Sequence, residues 1–373
     1  MAEVVVLWTL WPGGPLLDTS AQIDDPWVRR ALGIASWGDR LAVVNTGNEL
    51  QFLDLQTMRL GASTSWRVPP FGDRDYNLFN FSLCDDCTIG VAGFQSVGSV
   101  LFTAVRTPTT ASWGAHRRYP DARIYGGATY LHGGVQYLAA GGLTDACHGG
   151  GTVYRPTGLE PGDLHAVGCV LAGASEISVD GGLYLDGYLW VVSGTRVHRY
   201  RVEADGTVTW LGELTRAGFV RGAGIALDQE AHLLAAATPY GAELWSVADP
   251  EAPVRLAQWQ PHQTIDPDTV ALRYPYLWCA AYGGTTELMT HTFDVSDPAH
   301  PVEVAEETWA NGAPAQQYAH AGNMAALFLP DYRLLVARWS VLLLLEPEWA
   351  PPPAEVFADG FETGTTGAWS VQS

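Results

Sequence analysis

The chain has 373 residues, 47% of them hydrophobic, with 15 Trp and 15 Tyr. That apolar content excludes intrinsic disorder for most of its length. Its 40 acidic residues stand against 20 arginines and no lysine, and the net charge of −20 opposes both nucleic acid and anionic membrane surfaces.

The N-terminus, Met1-Ala-Glu-Val-Val-Val-Leu7, has no positive region and too short an apolar run for a signal peptide. Either an export signal preceded Met1 or the protein is cytosolic. Beyond it the chain follows one pattern: a polar or Gly-Asp turn, four to six apolar or β-branched residues, then another turn. This is strand and hairpin chemistry. The best-marked strands are Leu41-Ala-Val-Val-Asn45, Tyr137-Leu-Ala-Ala-Gly141, Leu189-Trp-Val-Val-Ser193, Leu233-Leu-Ala-Ala-Ala237, Leu277-Trp-Cys-Ala-Ala281 and Leu334-Leu-Val-Ala-Arg338.

These strands recur every 44 to 57 residues, apart from one interval of 96 that holds two units, the hidden one near Gly90 to Val105. Seven units of this length, each of four short strands, predict an all-β fold: a single seven-bladed β-propeller of four-stranded blades. The small residues place these strands innermost, where blades crowd around the axis. The bulkier strands that follow, such as Val197-His-Arg-Tyr-Arg201 and Glu243-Leu-Trp-Ser-Val247, widen towards the rim.

The last unit lacks one strand before Pro347 and Pro351-Pro-Pro353 end the sheet. Residues 3–12 are expected to supply it, closing the ring and removing an open edge. The propeller then covers residues 1–350. Residues 351–373 form a Pro-rich spacer and a C-terminal tail, in which Asp359-Gly-Phe-Glu-Thr-Gly364 and Ala368-Trp369-Ser370 resemble a C-terminal motif of secreted bacterial proteins.

Two stretches carry a more specific likeness. Leu244-Trp-Ser-Val-Ala-Asp-Pro-Glu-Ala-Pro-Val254 and Thr292-Phe-Asp-Val-Ser-Asp-Pro-Ala-His-Pro-Val302 resemble the LVIVD repeat of bacterial secreted and surface proteins. In such a turn the Asp carboxylate caps the backbone, and the prolines fix φ and stop the ladder. The resemblance covers the whole chain in period but only part of it in sequence. It implies a propeller outside the cytoplasm: secreted, periplasmic or on the cell surface.

The five cysteines fit an oxidising compartment. Cys147 and Cys169 bracket one predicted hairpin and are expected to pair. Cys84 and Cys87 could close a small ring, and Cys279 is read as a buried free thiol. A Cys84-x-x-Cys87 zinc half-site lacks a second half. His148-Gly-Gly-Gly151 is similar to an oxyanion loop, but no Gly-x-Ser-x-Gly elbow accompanies it, and a Gly-rich turn explains it better.

The ten histidines are scattered, with no two at metal-ligand spacing. A propeller gathers side chains from different blades around its axis, so His320, Arg30, Arg123, Glu176, Arg221 and Asp268, each near the entry to a blade, are the candidate axial ligand-binding set. A self-neutralising network explains them equally well. No cofactor is expected, with a metal ion on the axis left open.

The leading functional expectation is a secreted or surface binding scaffold that contacts protein or glycan through the loops Trp66 to Tyr76, Thr109 to Tyr119 and Ala310 to Tyr318. The alternatives are a propeller enzyme of the lactonase or metal-oxidase kind, and a structural subunit of a surface layer or filament. No membrane span is expected, since the apolar run Val341 to Leu345 is far too short. The ligand, the catalytic residues if any, and the oligomeric state are not written in the sequence.

Overall fold

The computed structural model describes the strands named below and, between residues 127 and 338, most of the turns. Side chains are described within residues 127–336. Among the described residues there is no helix, and the strands form seven antiparallel sheets.

Blade one contains Gly33–Trp37, Leu41–Asn45 and Glu49–Asp54. Blade two contains Asn77–Ser82, Ile89–Gln95, Gly98–Arg106 and Ala111–Tyr119. Blade three contains Gly127–His132, Val135–Ala140, Gly151–Pro156 and Leu164–Val170. Blade four contains Gly181–Leu185, Tyr188–Ser193, Arg196–Val202 and Val208–Leu214. Blade five contains Ile225–Asp228, Leu233–Thr238, Gly241–Ser246 and Val254–Trp259. Blade six contains Pro267–Arg273, Tyr276–Gly283, Glu287–Asp294 and Val302–Ala310.

Blade seven contains Met324–Phe328, Leu334–Arg338 and Val341–Glu346, and its outer strand is Glu3–Thr9 from the other end of the chain. Val4 stands opposite Leu345 and Val5 opposite Leu344 in an antiparallel ladder. The first strand of each blade packs against the first strand of the next, and that of blade seven against that of blade one. The molecule is therefore a closed seven-bladed β-propeller, and the N-terminal strand removes the open edge of the last sheet.

Three expectations need correction. The Leu-Ala-Ala strands are second in each blade, not innermost. Both faces of a second strand meet the sheets of neighbouring blades, and Ala235, Ala236 and Ala237 are all fully buried there, so small residues allow the sheets to approach. Crowding at the axis is met instead by first-strand residues such as Gly182, where an added Cβ would stand 2.5 Å from the Ala128 Cβ of blade three. Blade one departs from the four-strand plan: its outer edge is two short pieces, Arg59–Leu60 and Trp66–Arg67, both paired with the third strand. Finally, residues 111–119 of the expected contact loop are the outer strand of blade two.

Two hairpins show how the sequence sets the local fold. Gly133-Gly134 and Asp186-Gly187 join the first and second strands of blades three and four with positive φ at both turn residues. That conformation matches the right-handed twist of the flanking strands, and Gly and Asp tolerate it. The core between blades is apolar. Tyr130, Tyr137 and Val153 of blade three meet Leu189, Val191 and Tyr200 of blade four, and Leu233, Ala235 and Leu244 of blade five meet Leu277, Cys279 and Phe293 of blade six.

Candidate functional site

Blades three to six share one irregularity. In each, the outer strand carries one extra residue opposite the third strand: Val167, Leu211, Leu256 and Val304. Such a bulge shifts the alternation of faces by one residue. Residues flanking it at i and i+3 therefore share a face, where a regular strand would separate them.

Aligned on that bulge, one third-strand position is a buried polar residue in all four blades: Thr152, His198, Glu243 and His291. Its neighbours on the outer strand differ. In blade four Glu213 stands opposite His198 and is held by Arg196 at 2.8 Å. In blade five the buried Glu243 accepts a hydrogen bond from Trp245 Nε1 at 3.1 Å and faces Arg255 at 3.4 Å. In blade six the place of Arg255 is taken by Glu303, and Glu306 stands directly opposite His291. Because Val304 is bulged, Glu303 and Glu306 lie on the same face as His291.

His291 Nδ1 lies 2.7 Å from Glu303 Oε1. The His291 side chain is 7% exposed, and its Nε2 is buried with no hydrogen-bond partner. Trp259, from the outer strand of blade five, packs on the imidazole at 4.5 Å between ring centroids and on Phe293 at the same distance. Beneath lies Cys279, opposite His291 on the second strand. It is a free, buried thiol, as expected from the sequence. Burial pushes its pKa up, the Glu303 charge adds to that, and a hydrogen bond with the His291 backbone opposes it. The result is one row on the face of blade six towards blade five: an inert buried thiol, a buried imidazole and, at its exposed end, two carboxylates.

The turns between third and fourth strands follow the capping expected of the repeat. Asp294 Oδ1 accepts from the Ser296 amide at 2.8 Å and hydroxyl at 2.6 Å, and these bonds hold its carboxyl below the usual range. Asp249 Oδ1 accepts from the Glu251 amide at 3.0 Å. The turn of blade five is also clasped by its neighbour, since Arg199 of blade four donates to the Pro250 and Glu251 carbonyls at 3.1 and 3.0 Å. On the same side of the ring, the Tyr274 amide of blade six donates to Asp228 of blade five at 2.7 Å, and the Tyr332 hydroxyl of blade seven donates to the Tyr274 carbonyl at 3.0 Å.

Cys147 and Cys169 form a disulfide, with Cα atoms 5.5 Å apart. Of the axial set, Arg30, Arg123, Glu176, Arg221 and His320 lie outside the described residues, as do Cys84 and Cys87. Asp268 is placed by its backbone alone, at an irregularity of the first strand of blade six between Pro267 and Thr269. His291, Glu303, Glu306 and Trp259 were not legible as a set, because their proximity depends on the bulge and on a neighbouring blade. The usable signal was the register of the repeats, in which a Glu replaces an Arg.

No family model matches the chain, and no curated protein does. Solved structures do match. A chain from the crystal structure of a mitotic checkpoint complex is similar over 91% of this chain and 90% of that one, with a TM-score of 0.56 and 12% identity. A protein from Lactobacillus plantarum is similar over 82% and 92% (TM-score 0.53, 12% identity). A functionally unknown protein from Desulfotomaculum acetoxidans is similar over 80% and 92% (TM-score 0.52, 12% identity). At this identity the likeness is one of fold, and it extends around the ring. No helix among the described residues is long and apolar enough to cross a membrane.

Proposed function

We propose that this propeller is a binding scaffold whose partner is a protein, engaged at the outer rim of blades four to six. The observation that carries this reading is a set of apolar side chains left in solvent on the outer strands. Trp210 is 61% exposed, Val254 58%, Val302 62% and Val304 40%. Val254 and Val302 occupy the same place in successive repeats, just after the Asp-Pro turn, so the blades repeat the exposure. Apolar surface of this kind costs free energy in water and is regained on docking. The fold is one that a mitotic checkpoint complex also uses, and multi-blade rims suit protein contact.

The resemblance to the LVIVD repeat and to the C-terminal motif of exported proteins argues that the partner is met outside the cytoplasm. The disulfide is consistent with that. Glycan binding and a surface-layer role are further readings that the rim does not favour.

The test is photo-crosslinking in the native host, with the photoreactive residue placed in turn at Trp210 and Val302, and at Glu203 as an exposed polar control. The reading expects one discrete adduct at the two apolar positions, lost on Val254→Asp with the circular dichroism unchanged. Equal labelling at all three positions would reject it.

A further inference from the structure

We propose that His291, Glu303 and Glu306 hold a divalent first-row transition cation, with zinc as the reference case, at the exposed end of this row on blade six. Each of the three side chains offers a ligand atom, and these atoms lie within 4.8 Å of one another. Ligand atoms sharing one zinc stand about 3–3.5 Å apart. Both glutamates are exposed, so a rotamer change closes the difference. The imidazole is already fixed: Trp259 packs on it, and the blade-six ladder sets Cys279, His291 and Glu306 in one row.

Two independent observations point to a ligand. The first is the charge pattern of the repeat. Blades four and five pair their carboxylates on this face with their own arginines: Arg196 with Glu213, the equivalent of Glu306, and Arg255 with Glu243, which stands at the His291 position. Blade six has Met289 where blade four has Arg196, and Glu303 where blade five has Arg255. Two carboxylates thus share a face, and among the described residues neither is paired with an arginine. A bound cation supplies the charge that the neighbouring blades supply from the chain. The second is His291 itself. Its side chain is more than nine-tenths buried, and Nδ1 is aimed at the carboxylates, with Glu303 of the cluster itself as its partner. The ring nitrogen that faces the glutamates is Nδ1, 2.7 Å from Glu303 Oε1, so the cation takes the place of the proton between them, with the ring hydrogen on Nε2.

One imidazole with two carboxylates leaves a position for water and suits zinc, manganese or iron better than calcium, which takes six to eight oxygens. The site lies on the rim and not on the axis, and its Glu303 stands between Val302 and Val304 of the apolar docking strip.

The experiment uses the full chain, stripped with chelator and titrated with zinc by calorimetry and with cobalt by visible absorption. The expected result is one equivalent bound, with the affinity lowered at least about tenfold in Glu303→Gln and in Glu306→Gln. Both are surface changes that leave the circular dichroism intact. Glu303→Arg, which copies blade five, is expected to abolish uptake by pairing with Glu306. The exposed His300 is the control, and His300→Ala should bind as the parent does. The proposal is overturned by no uptake, by uptake indifferent to both glutamate changes, or by uptake that disappears with His300.

Discussion

The Leu171 amide of blade three donates a hydrogen bond to the Tyr200 hydroxyl of blade four at 2.7 Å. Leu171 is buried and holds a positive φ of 58°, a conformation its side chain disfavours. The bond fixes the chain where it leaves blade three and ties two sheets together. Burial raises the Tyr200 pKa, and the Leu171 bond opposes that rise. Tyr200→Phe removes the acceptor and strands a buried N–H, so unfolding in urea should show a loss of about 1–3 kcal/mol.

Gly182 marks a close approach of two first strands. A Cβ there would meet the Ala128 Cβ at 2.5 Å and the Trp190 carbonyl at 2.7 Å. Neither neighbour is a flexible side-chain end, so the blades must shift. Gly182→Ala is expected to destabilise by about 1–3 kcal/mol through overpacking. The pair Gly182→Ala with Ala128→Gly should recover part of that loss, which thermal melts of the three variants would show.

The disulfide closes a loop with a sequence separation of 22. Loop-closure entropy for that length gives about 3 kcal/mol of stabilisation. The double variant Cys147→Ala/Cys169→Ala should lose roughly that amount in urea unfolding, and adding reductant to the variant should change little further.

Stability should fall in alkali. Burial raises the pKa of Cys279 from its ordinary value of 9.0. Burial, aided by Tyr137 and Tyr184, raises that of Tyr130 from 10.0. Above these ordinary values the unfolded chain releases protons that the native chain retains, so the native state binds more protons. The contribution is complete below about pH 9 and declines as pH rises, by up to about 1.4 kcal/mol per pH unit for each group. Urea unfolding at pH 8 and 10.5 should show the decline. Tyr130→Phe should flatten it and also raise stability near neutrality, because the Tyr130 hydroxyl is buried without a partner.

Much of the ring was legible because period and turn chemistry are local. Asp186-Gly187 and Gly133-Gly134 announce their hairpins, and the Asp-Pro turns announce their caps. The missing strand of blade seven could be counted from Pro347 backwards. Cys147 and Cys169 could be paired because both flank one hairpin. What failed was order within the blade. Leu233-Leu-Ala-Ala-Ala237 is small because two sheets close on it, a fact of packing between blades that alternation does not encode. The cluster at His291 failed for a related reason. Glu303 and Glu306 sit on one face only because Val304 is bulged, and Trp259 reaches His291 from another blade. A strict period of two would have sent the two carboxylates to opposite faces.

The ring itself rests on the pairing of Glu3–Thr9 with Val341–Glu346. Amide hydrogen exchange by mass spectrometry, on the full chain and on a chain lacking residues 2–9, tests that pairing directly. The predicted result is strong protection of both segments in the full chain, with the protection of residues 341–346 lost when the N-terminal strand is removed and that of blades three to five retained. Equal exchange of residues 341–346 in the two chains would contradict closure by the N-terminal strand.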